Sequence, residues 1–541
     1  MDTQRLILFV VFSFSLLLLW EAWQKETKPP VPVGAAAQSA VPTAGQRPGA
    51  SAATRPEVPS AAAAPGSSER LRVTTDTVLA EIDTQGGDIS YLELLRQKDA
   101  REATKNIVLF GPEHRYAAQS GLIGAGLPNH KTLFRAQGKE FTLGAGQDKL
   151  EVKLEARSPQ GVKVTKTLTF HRGSYRIDVT EEIANGASQP LTTDVYFQLT
   201  RDGESPGGDP YMTKTYTGAA VYTEHEKFQK VTFEDIAKGK VSYPKTSDNG
   251  WIAMIQHYFV AALLPPEKTP REFYTRKLEN DLYSIGVIIP VGPIAPGAVA
   301  RVDVPLYAGP QDQDHLQSVA PGLQLVVDYG WLTVIAAPLF WVLKMFHGWL
   351  GNWGLAIILL TVTIKLIFFP LSAASYRSMA KMKLVTPRLM KLREQYGDDK
   401  VKLNQAMMDL YKTEKINPLG GCLPIVVQIP VFISLYWVLF ESVELRHAPF
   451  YLWIQDLSAP DPWYVLPTLM MVSMIVQTKM NPTPPDPVQA KVMMIMPLVF
   501  GVMFYFFPSG LVLYWFVNNI LSILQQWQIT RLIGGDRKDR K

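Results

Sequence analysis

Apolar residues in this sequence are gathered into a few long runs, and these runs constrain the fold more than any other feature. One run occupies residues 6–20, and the others are 331–346, 354–369, 422–440, 463–477, 492–507 and 511–529. Repeated runs of this kind are typical of helices that cross a lipid bilayer. We therefore expect a polytopic membrane protein in which some spans are shorter than ~20 residues and irregularly packed.

The distribution of basic residues predicts how these runs are oriented. Lysine and arginine are concentrated in residues 372–417, at Arg377, Lys381, Lys383, Arg388, Lys391, Arg393, Lys400, Lys402, Lys412 and Lys415. Such an excess is typical of cytoplasmic segments, so we place this one in the cytoplasm. The formal net charge of the whole chain is only +5, which gives no indication of nucleic-acid binding.

Each crossing moves the chain to the other side of the membrane, and this alternation predicts the positions of the segments around the cytoplasmic region. We assign the crossing before it, TM2, to residues 349–371, and we place TM3 to TM6 in residues 418–529. The loop over residues 441–461 then lies outside, and the basic tail over residues 530–541 lies in the cytoplasm. The preceding segment, 321–348, contains Pro338 and is predicted to be an amphipathic helix lying flat on the periplasmic face.

The N-terminal run is interpreted as an uncleaved membrane anchor over residues 1–26. A secretory signal peptide is the alternative, but the residues before the run carry little positive charge and no small-residue cleavage site follows. Residues 27–70 are dominated by Ala, Pro, Ser, Gly and Val, which is typical of a disordered linker. Both termini are then cytoplasmic and residues 27–320 periplasmic, in a protein of the inner membrane.

Residues 71–315 change to a period of two, which predicts an all-β domain. In residues 162–170, apolar Val162, Val164, Leu168 and Phe170 alternate with lysine and threonine. Turn signals such as Asn185-Gly186 separate this run from others. Many short strands with regular turns predict a large antiparallel sandwich or barrel.

The composition of this β-domain gives no sign of catalysis. Its histidines lie at no recognisable metal or triad spacing, and the only cysteine of the chain is Cys422. We predict no catalytic residue, no metal site and no cofactor, and we expect that the protein is not an enzyme. Binding of a partner protein or a glycan by this domain remains open.

The basic segment over residues 372–417 is predicted to be a cytoplasmic helical hairpin. Apolar residues recur at helical spacing on both sides of a Gly-Asp-Asp break at residues 397–399. Its basic side chains are consistent with a solvated face, with contacts to lipid headgroups, or with contacts to ribosomal RNA or a targeting factor.

The predicted spans are distinguished by the ionisable groups they contain. No Asp or Glu lies inside them, which argues against an ion-coupled transporter. One cation, Lys365, lies one turn after Thr361 on the same helical face. Two interpretations of Lys365 stay open: its long side chain extends to the headgroups, or it lies in a polar cavity with Asn, Gln and Ser side chains.

Three motifs give this chain a family resemblance. They are NPLGGCLP at residues 417–424, FPSGLVLYW at residues 507–515 and MDTQR at residues 1–5. Together they resemble the YidC/Oxa family of insertases, and the resemblance extends over essentially the whole chain. It implies a periplasmic β-sandwich of the supersandwich type and a five-helix insertase core with a hydrophilic groove.

The resemblance also implies a role for particular residues. Lys365 stands where the family normally has arginine, Thr361 matches a position that contacts clients, and Trp515 stands where the family usually has tyrosine. With Gln428 and Asn518, these residues form the predicted client-binding groove.

The resemblance further implies partners and a function. The partners are nascent membrane protein clients, the Sec translocon, the ribosome or signal recognition machinery at the hairpin and tail, and membrane lipids. The function is insertion and folding of membrane proteins, alone or with the translocon. A channel or transporter, and a membrane-anchored periplasmic glycan-binding protein, are the alternatives that the residues alone leave open.

Overall fold

The structure is a computed structural model that describes residues 69–99, 102, 104–206, 215–397, 399–414, 423–481 and 487–535. The predicted anchor, nearly all of the predicted linker and the end of the basic tail lie outside these residues. The described chain divides into two compact units, with the β-strands in one and the helices from Thr333 onward in the other. A β-rich domain followed by a helical region confirms that part of the predicted fold class.

The β-unit is built from strands β1 to β20, which alternate mainly with short turns. In chain order they are Arg70–Thr74, Val78–Asp83, Asp88–Lys98, Asn106–Phe110, Ala117–Ile123, Arg135–Ala136, Glu140–Thr142, Lys149–Arg157, Val162–His171, Arg176–Asn185, Leu191–Asp202, Gly218–Thr223, Lys227–Val231, Thr246–Ser247, Trp251–Gln256, Phe259–Leu263, Arg271–Lys277, Leu282–Ile294, Val299–Asp303 and Leu306–Pro310. Two short helices, α1 (Phe233–Ala237) and α2 (Gln313–Val319), belong to the same unit.

These strands form two sheets. The first has the order β14-β17-β18-β11-β5-β3-β2-β1-β7, with β4 beside β3. The second has the order β13-β12-β15-β16-β20-β10-β9-β8-β6, with β19 beside β10. Along β9, every second side chain is buried, so the apolar face of the alternating sequence faces the core. Buried residues from both sheets form one continuous hydrophobic cluster.

In the described residues, the helical unit contains eight further α-helices. They are α3 (Thr333–Leu350), α4 (Trp353–Ile367), α5 (Phe369–Tyr396), α6 (Lys400–Thr413), α7 (Leu423–Glu441), α8 (Val465–Met480), α9 (Pro487–Met503) and α10 (Ser509–Gly535). Helix α10 packs against α4, α5 and α8, while α3 packs on α4 and α9 packs on α8. Helices α5 and α6 pack against each other, and the Asp399 side chain caps α6 by accepting a hydrogen bond from the Lys402 N–H.

Few of these helices are both long and apolar enough to cross a bilayer unaided. By length and hydropathy, one described helix qualifies, over Gly330–Leu350, where a short 3₁₀ turn precedes α3. Helices α4 and α5 together form a second candidate span, but the two helices are bent by 67° relative to each other. The pair qualifies only if it is counted as one span. The apolar parts of α7, α8 and α9 are shorter. The segment that we predict to lie flat on the membrane is therefore the one that meets both the length and the hydropathy requirement for a span.

A cluster of ionisable side chains lies inside the β-unit, between the two sheets. It consists of Asp88 on β3, Lys166 on β9 and Glu181 on β10, all of them buried. The Lys166 ammonium donates hydrogen bonds to the carbonyl oxygens of Gly86 (2.7 Å) and Ser120 (3.3 Å). It also lies 3.7 Å from a carboxylate oxygen of Glu181. The lysine thus sits between carbonyl oxygens and buried carboxylates, away from solvent.

Burial changes the protonation of Asp88. Loss of hydration raises the pKa of this carboxyl from 3.8 to about 8, because the neighbouring Lys166 charge and a hydrogen bond from Gln119 only partly offset the cost of burying the charged form. Between pH 4 and 8, the folded protein therefore keeps a proton on Asp88, whereas the unfolded chain has released it. The folding stability of the β-unit should fall as pH rises through this range.

The first prediction concerns this pH dependence. Replacing Asp88 with asparagine removes the proton-binding site, so the Asp88→Asn protein should lose a slope of up to about 1.4 kcal/mol per pH unit in its unfolding free energy. Hydrogen exchange of β2 and β3 in the full chain, measured in detergent at several pH values, gives this slope. Asp148→Asn, at an exposed position, is the matched control. Equal slopes in all three proteins would contradict the prediction.

Candidate functional site

The candidate site begins with helix α4, whose start is fixed by local interactions. The Asn352 side chain accepts a hydrogen bond from the Leu355 N–H (3.0 Å) and so caps the helix. The next turn approaches the 448–454 loop closely, since a Cβ on Gly354 would lie 2.1 Å from the Phe450 ring. The helix continues to Ile367, and Lys365 falls in its last turn. Lys365 is thus placed by a helix whose other end is anchored.

Lys365 points into the helix bundle. Its side chain is only 4% exposed, and its ammonium donates a hydrogen bond of 2.7 Å to the Ser522 hydroxyl on α10. In the described residues, no carboxylate forms an ion pair with this lysine. The charge of Lys365 is thus held by a neutral acceptor.

Helix α10 presents a polar stripe to the bundle. Asn518, Ser522 and Gln526 are four residues apart and therefore share one face of the helix. The Ser522 hydroxyl donates to the Asn518 carbonyl oxygen (2.7 Å), and the Gln526 amide donates to Asn481 (3.1 Å). A neighbouring residue, Asn519, donates to the Ser473 hydroxyl on α8 (3.2 Å). The stripe connects α10 with the helices on both sides of it.

Thr361, the second predicted groove residue, lies one turn before Lys365. Its side chain is 1% exposed, and its hydroxyl donates to the Ile357 carbonyl oxygen in the same helix (2.7 Å). Thr361 therefore shares the buried face of α4 with Lys365. In this conformation its hydroxyl is already satisfied, and a client can reach it only if the helices around it separate.

Trp515 belongs to a different neighbourhood from Lys365. Its ring packs against Phe432 on α7 and Phe504, with centroids 4.5 Å apart in each case. These rings, together with Tyr436 and Phe507, line an apolar cavity of about 260 Å³. The structure therefore divides the predicted site into a polar part around Lys365 and an aromatic part around Trp515, which α10 joins.

The remaining predicted residues lie near these two parts without a hydrogen bond to Lys365. Asn518 contributes its backbone carbonyl to Ser522, as described above, and its side chain is partly exposed. Gln428 lies on α7, the helix that also carries Phe432, and is partly exposed. Lys365 and Asn518 are therefore brought together through Ser522, whereas Gln428 shares only its helix with the aromatic part.

The sequence analysis did not single out two residues with structural roles in the helical unit. Ser522 is the hydrogen-bond partner of Lys365, and its four-residue spacing from Asn518 and Gln526 was the available signal. Asp461, only 2% exposed, accepts hydrogen bonds from the Trp453 indole (2.9 Å) and from the backbone N–H groups of Trp463 (3.0 Å) and Leu466 (2.7 Å). It fixes the start of α8, and nothing in the local pattern distinguished it from other loop carboxylates.

The predicted hairpin brings its two helices together in the structure. An ion pair joins Arg388 on α5 to Glu414 beyond the end of α6. Several other basic side chains on α5, among them Lys381, Lys383 and Lys391, are exposed. Elsewhere, the described ranges contain no group of three or more His, Cys, Asp or Glu side chains that could hold a metal ion.

Comparison with known proteins gives a consistent result over the whole chain. The family model of the YidC periplasmic domain matches residues 70–342, and that of the 60Kd inner membrane protein matches residues 345–536. The membrane protein insertase YidC of Aromatoleum aromaticum is 58% identical over 551 residues, covering 100% of both chains. That of Nitrosospira multiformis is 57% identical over 557 residues, covering 99% of this chain and 98% of the relative.

A solved structure gives a looser match. The crystal structure of an active YidC insertase with its first transmembrane domain resolved covers 87% of this chain and 94% of its own, at 18% identity and a TM-score of 0.39. That superposition is too loose for comparing side-chain positions. On the family models and the sequence identities, the chain belongs to the YidC family of membrane protein insertases, which are proteins of the inner membrane and not enzymes.

Proposed function

We propose that this insertase moves its membrane protein clients through a polar groove in which Lys365 supplies the positive charge. The observation that carries the proposal is the direction of the Lys365 side chain, which points to Ser522 inside the bundle and is almost fully buried. A lysine that extended to the headgroups would place its ammonium at an exposed end of the helix. The inward orientation supports the polar-cavity interpretation over that alternative.

The energetics of insertion explain what such a groove contributes. A client helix gains about 25 cal/mol for each Å² of apolar surface that it transfers from water to lipid. The barrier lies in carrying its polar flank across a medium where unpaired polar groups cost several kcal/mol each. A polar groove that extends partway through the bilayer shortens this path. No nucleotide is required, because the apolar transfer and the membrane potential, at about 2.3 kcal/mol per charge per 100 mV, supply the driving force.

The aromatic part of the site gives the client an apolar surface. Trp515, Phe432 and Phe504 line the cavity described above, and Met503 adds a flexible thioether to its wall. Aromatic and methionine side chains accept apolar partners of varied shape. The division into a polar and an aromatic part therefore fits a substrate that has a charged or polar flank followed by an apolar helix.

Other parts of the chain suit the recruitment of partners. The exposed basic side chains of α5 form a surface that fits the anionic backbone of ribosomal RNA or anionic lipid headgroups. We assign contacts with the ribosome or signal recognition machinery to this hairpin and the basic tail. We further propose that the protein acts both alone and with the Sec translocon.

The proposal requires the hairpin to be cytoplasmic and the loop over residues 441–461 to be periplasmic. In a Cys422→Ser background, a cysteine replacing the exposed Lys391 should react with a membrane-impermeant maleimide only after the inner membrane is dissolved. A cysteine replacing Tyr451, which is 56% exposed, should react without that treatment. The cysteine-free protein is the control. Labelling of the residue-391 variant from the periplasmic side would reject this topology.

The role of Lys365 is tested with one client carrying either an acidic or a neutral translocated tail. Lys365→Ala should lower insertion of the acidic version at least about fivefold, since roughly 1 kcal/mol of attraction is removed. Lys365→Glu should lower it further, because the attraction becomes repulsion. Lys365→Arg should insert both versions normally, because it retains the charge. The measurement is protection of the tail from protease in vesicles that contain the full chain.

The neutral-tailed client is the internal control for this test, because its transfer free energy does not involve the charge. A headgroup-directed lysine predicts small and equal effects on both clients. If the alanine variant inserted both versions as well as the unmodified protein, the electrostatic role would be wrong. Groove polarity from Thr361, Gln428 and Asn518 would then be the remaining explanation.

A further inference from the structure

We propose that Ser522 is a positioning residue for insertion, which holds the Lys365 ammonium inside the groove without neutralising its charge. The inference rests on the proposed role of Lys365 and deepens it. The two residues are 157 positions apart in sequence and lie on α4 and α10, yet their side chains meet at 2.7 Å in a buried environment. Ser522 itself is 3% exposed.

The hydrogen-bonding capacity of a hydroxyl explains why serine suits this position. A serine hydroxyl has one hydrogen to donate and two lone pairs that accept. The hydrogen of Ser522 is committed to the Asn518 carbonyl oxygen one turn earlier, at 2.7 Å. This bond orients the oxygen so that its lone pairs remain for Lys365. Tyr376 on α5 also lies close enough to interact with the Ser522 side chain.

The neutrality of Ser522 is as important as its position. An aspartate or glutamate at the same place would form an ion pair and cancel the positive charge within the groove. Serine supplies an acceptor and leaves the net charge at +1. An ammonium also has three donors, of which Ser522 takes one in this structure. No other acceptor in the described part of the chain bonds to this ammonium, so two donors remain for water or for a carboxylate on the client, and Lys365 can bind an acidic flank while it remains attached to α10.

Loss of this contact has a specific consequence. Lys365 lies in the last turn of α4, so a side chain released from Ser522 can turn toward the end of the helix, where water and headgroups solvate its charge. The charge would then remain in the protein but leave the groove. Insertion of clients with acidic tails should decrease, while insertion of neutral-tailed clients continues.

The experiment compares variants of the full chain in the vesicle assay with matched acidic and neutral tails. The quantity measured is the ratio of protease-protected acidic tail to protease-protected neutral tail. Ser522→Ala should lower this ratio about 2- to 10-fold, the range expected for loss of one hydrogen bond. Ser522→Thr keeps the hydroxyl and should restore the ratio. Ser522→Asp should lower it to the level of Lys365→Ala.

The matched control is Ser473→Ala. Ser473 is also a buried serine of the bundle, with 4% exposure, whose hydroxyl donates to the Met470 carbonyl oxygen of its own helix and accepts from Asn519 on α10. Removing its hydroxyl disturbs the packing and the polar stripe to a similar degree, without touching Lys365. The Ser473→Ala protein should show the same ratio of acidic to neutral insertion as the unmodified protein.

The outcomes separate this inference from the proposed function. If Lys365→Ala leaves the ratio unchanged, the electrostatic function itself is wrong. If Lys365→Ala lowers the ratio and Ser522→Ala does not, or if Ser522→Ala lowers both clients equally, Ser522 has no positioning role. The double variant should be no worse than Lys365→Ala alone, because the two residues act through one contact. If Ser522→Ala fails to accumulate, the test rests on Ser522→Asp and Ser522→Thr. Equal ratios of acidic to neutral insertion in these two variants would overturn the inference.

Discussion

The organisation of the helical unit depends on how it accommodates one buried positive charge. An ammonium inside a membrane bundle costs several kcal/mol unless it is hydrogen-bonded, paired or reached by water. Here Lys365 is hydrogen-bonded to Ser522, and the predicted spans around it contain no carboxylate. Helix α10 meets this requirement by presenting its polar stripe to α4, while it also packs against α5 and α8 and, through Trp515, against Phe432 on α7. The same contact between α4 and α10 therefore packs the two helices together and supplies the acceptor for the buried charge.

The β-unit contains a second buried lysine, Lys166, whose surroundings differ from those of Lys365. The difference in their partners indicates a different role for each. Lys166 is surrounded by two backbone carbonyl oxygens and the carboxylate of Glu181, with Asp88 nearby. It donates two hydrogen bonds and lies 3.7 Å from an opposite charge, so it fits a structural role between two sheets. Among the described residues, Lys365 bonds to one neutral partner, which leaves two of its donors for other groups. A buried charge that is left unbalanced at a cost in stability is more consistent with a functional site than with a packing feature.

The sequence predicted those parts of the structure that depend on local pattern. Alternation in residues 162–170 indicated a strand with one buried face, and the same alternation places Lys166 on that face, so its burial could have been deduced. The helical region was likewise indicated by its apolar runs. The Lys365–Ser522 contact could not be predicted in this way, because it depends on the rotation of two helices whose facing residues are far apart in sequence. Only the four-residue spacing of polar residues on α10 indicated which of its faces is buried.

The bend between α4 and α5 places the Lys365 site next to the helix that forms the first arm of the predicted hairpin. The two helices meet at Phe368 with an angle of 67°, where Pro370 lacks the N–H that would continue the hydrogen-bond ladder. Lys365 lies just before the bend, and Tyr376 lies two turns after its start on the helix that forms the first arm of the hairpin. The Lys365 ammonium bonds to the Ser522 hydroxyl, and Tyr376 lies close enough to interact with the same side chain. The Ser522 hydroxyl is therefore the point at which the last turn of α4, the early turns of α5 and helix α10 converge.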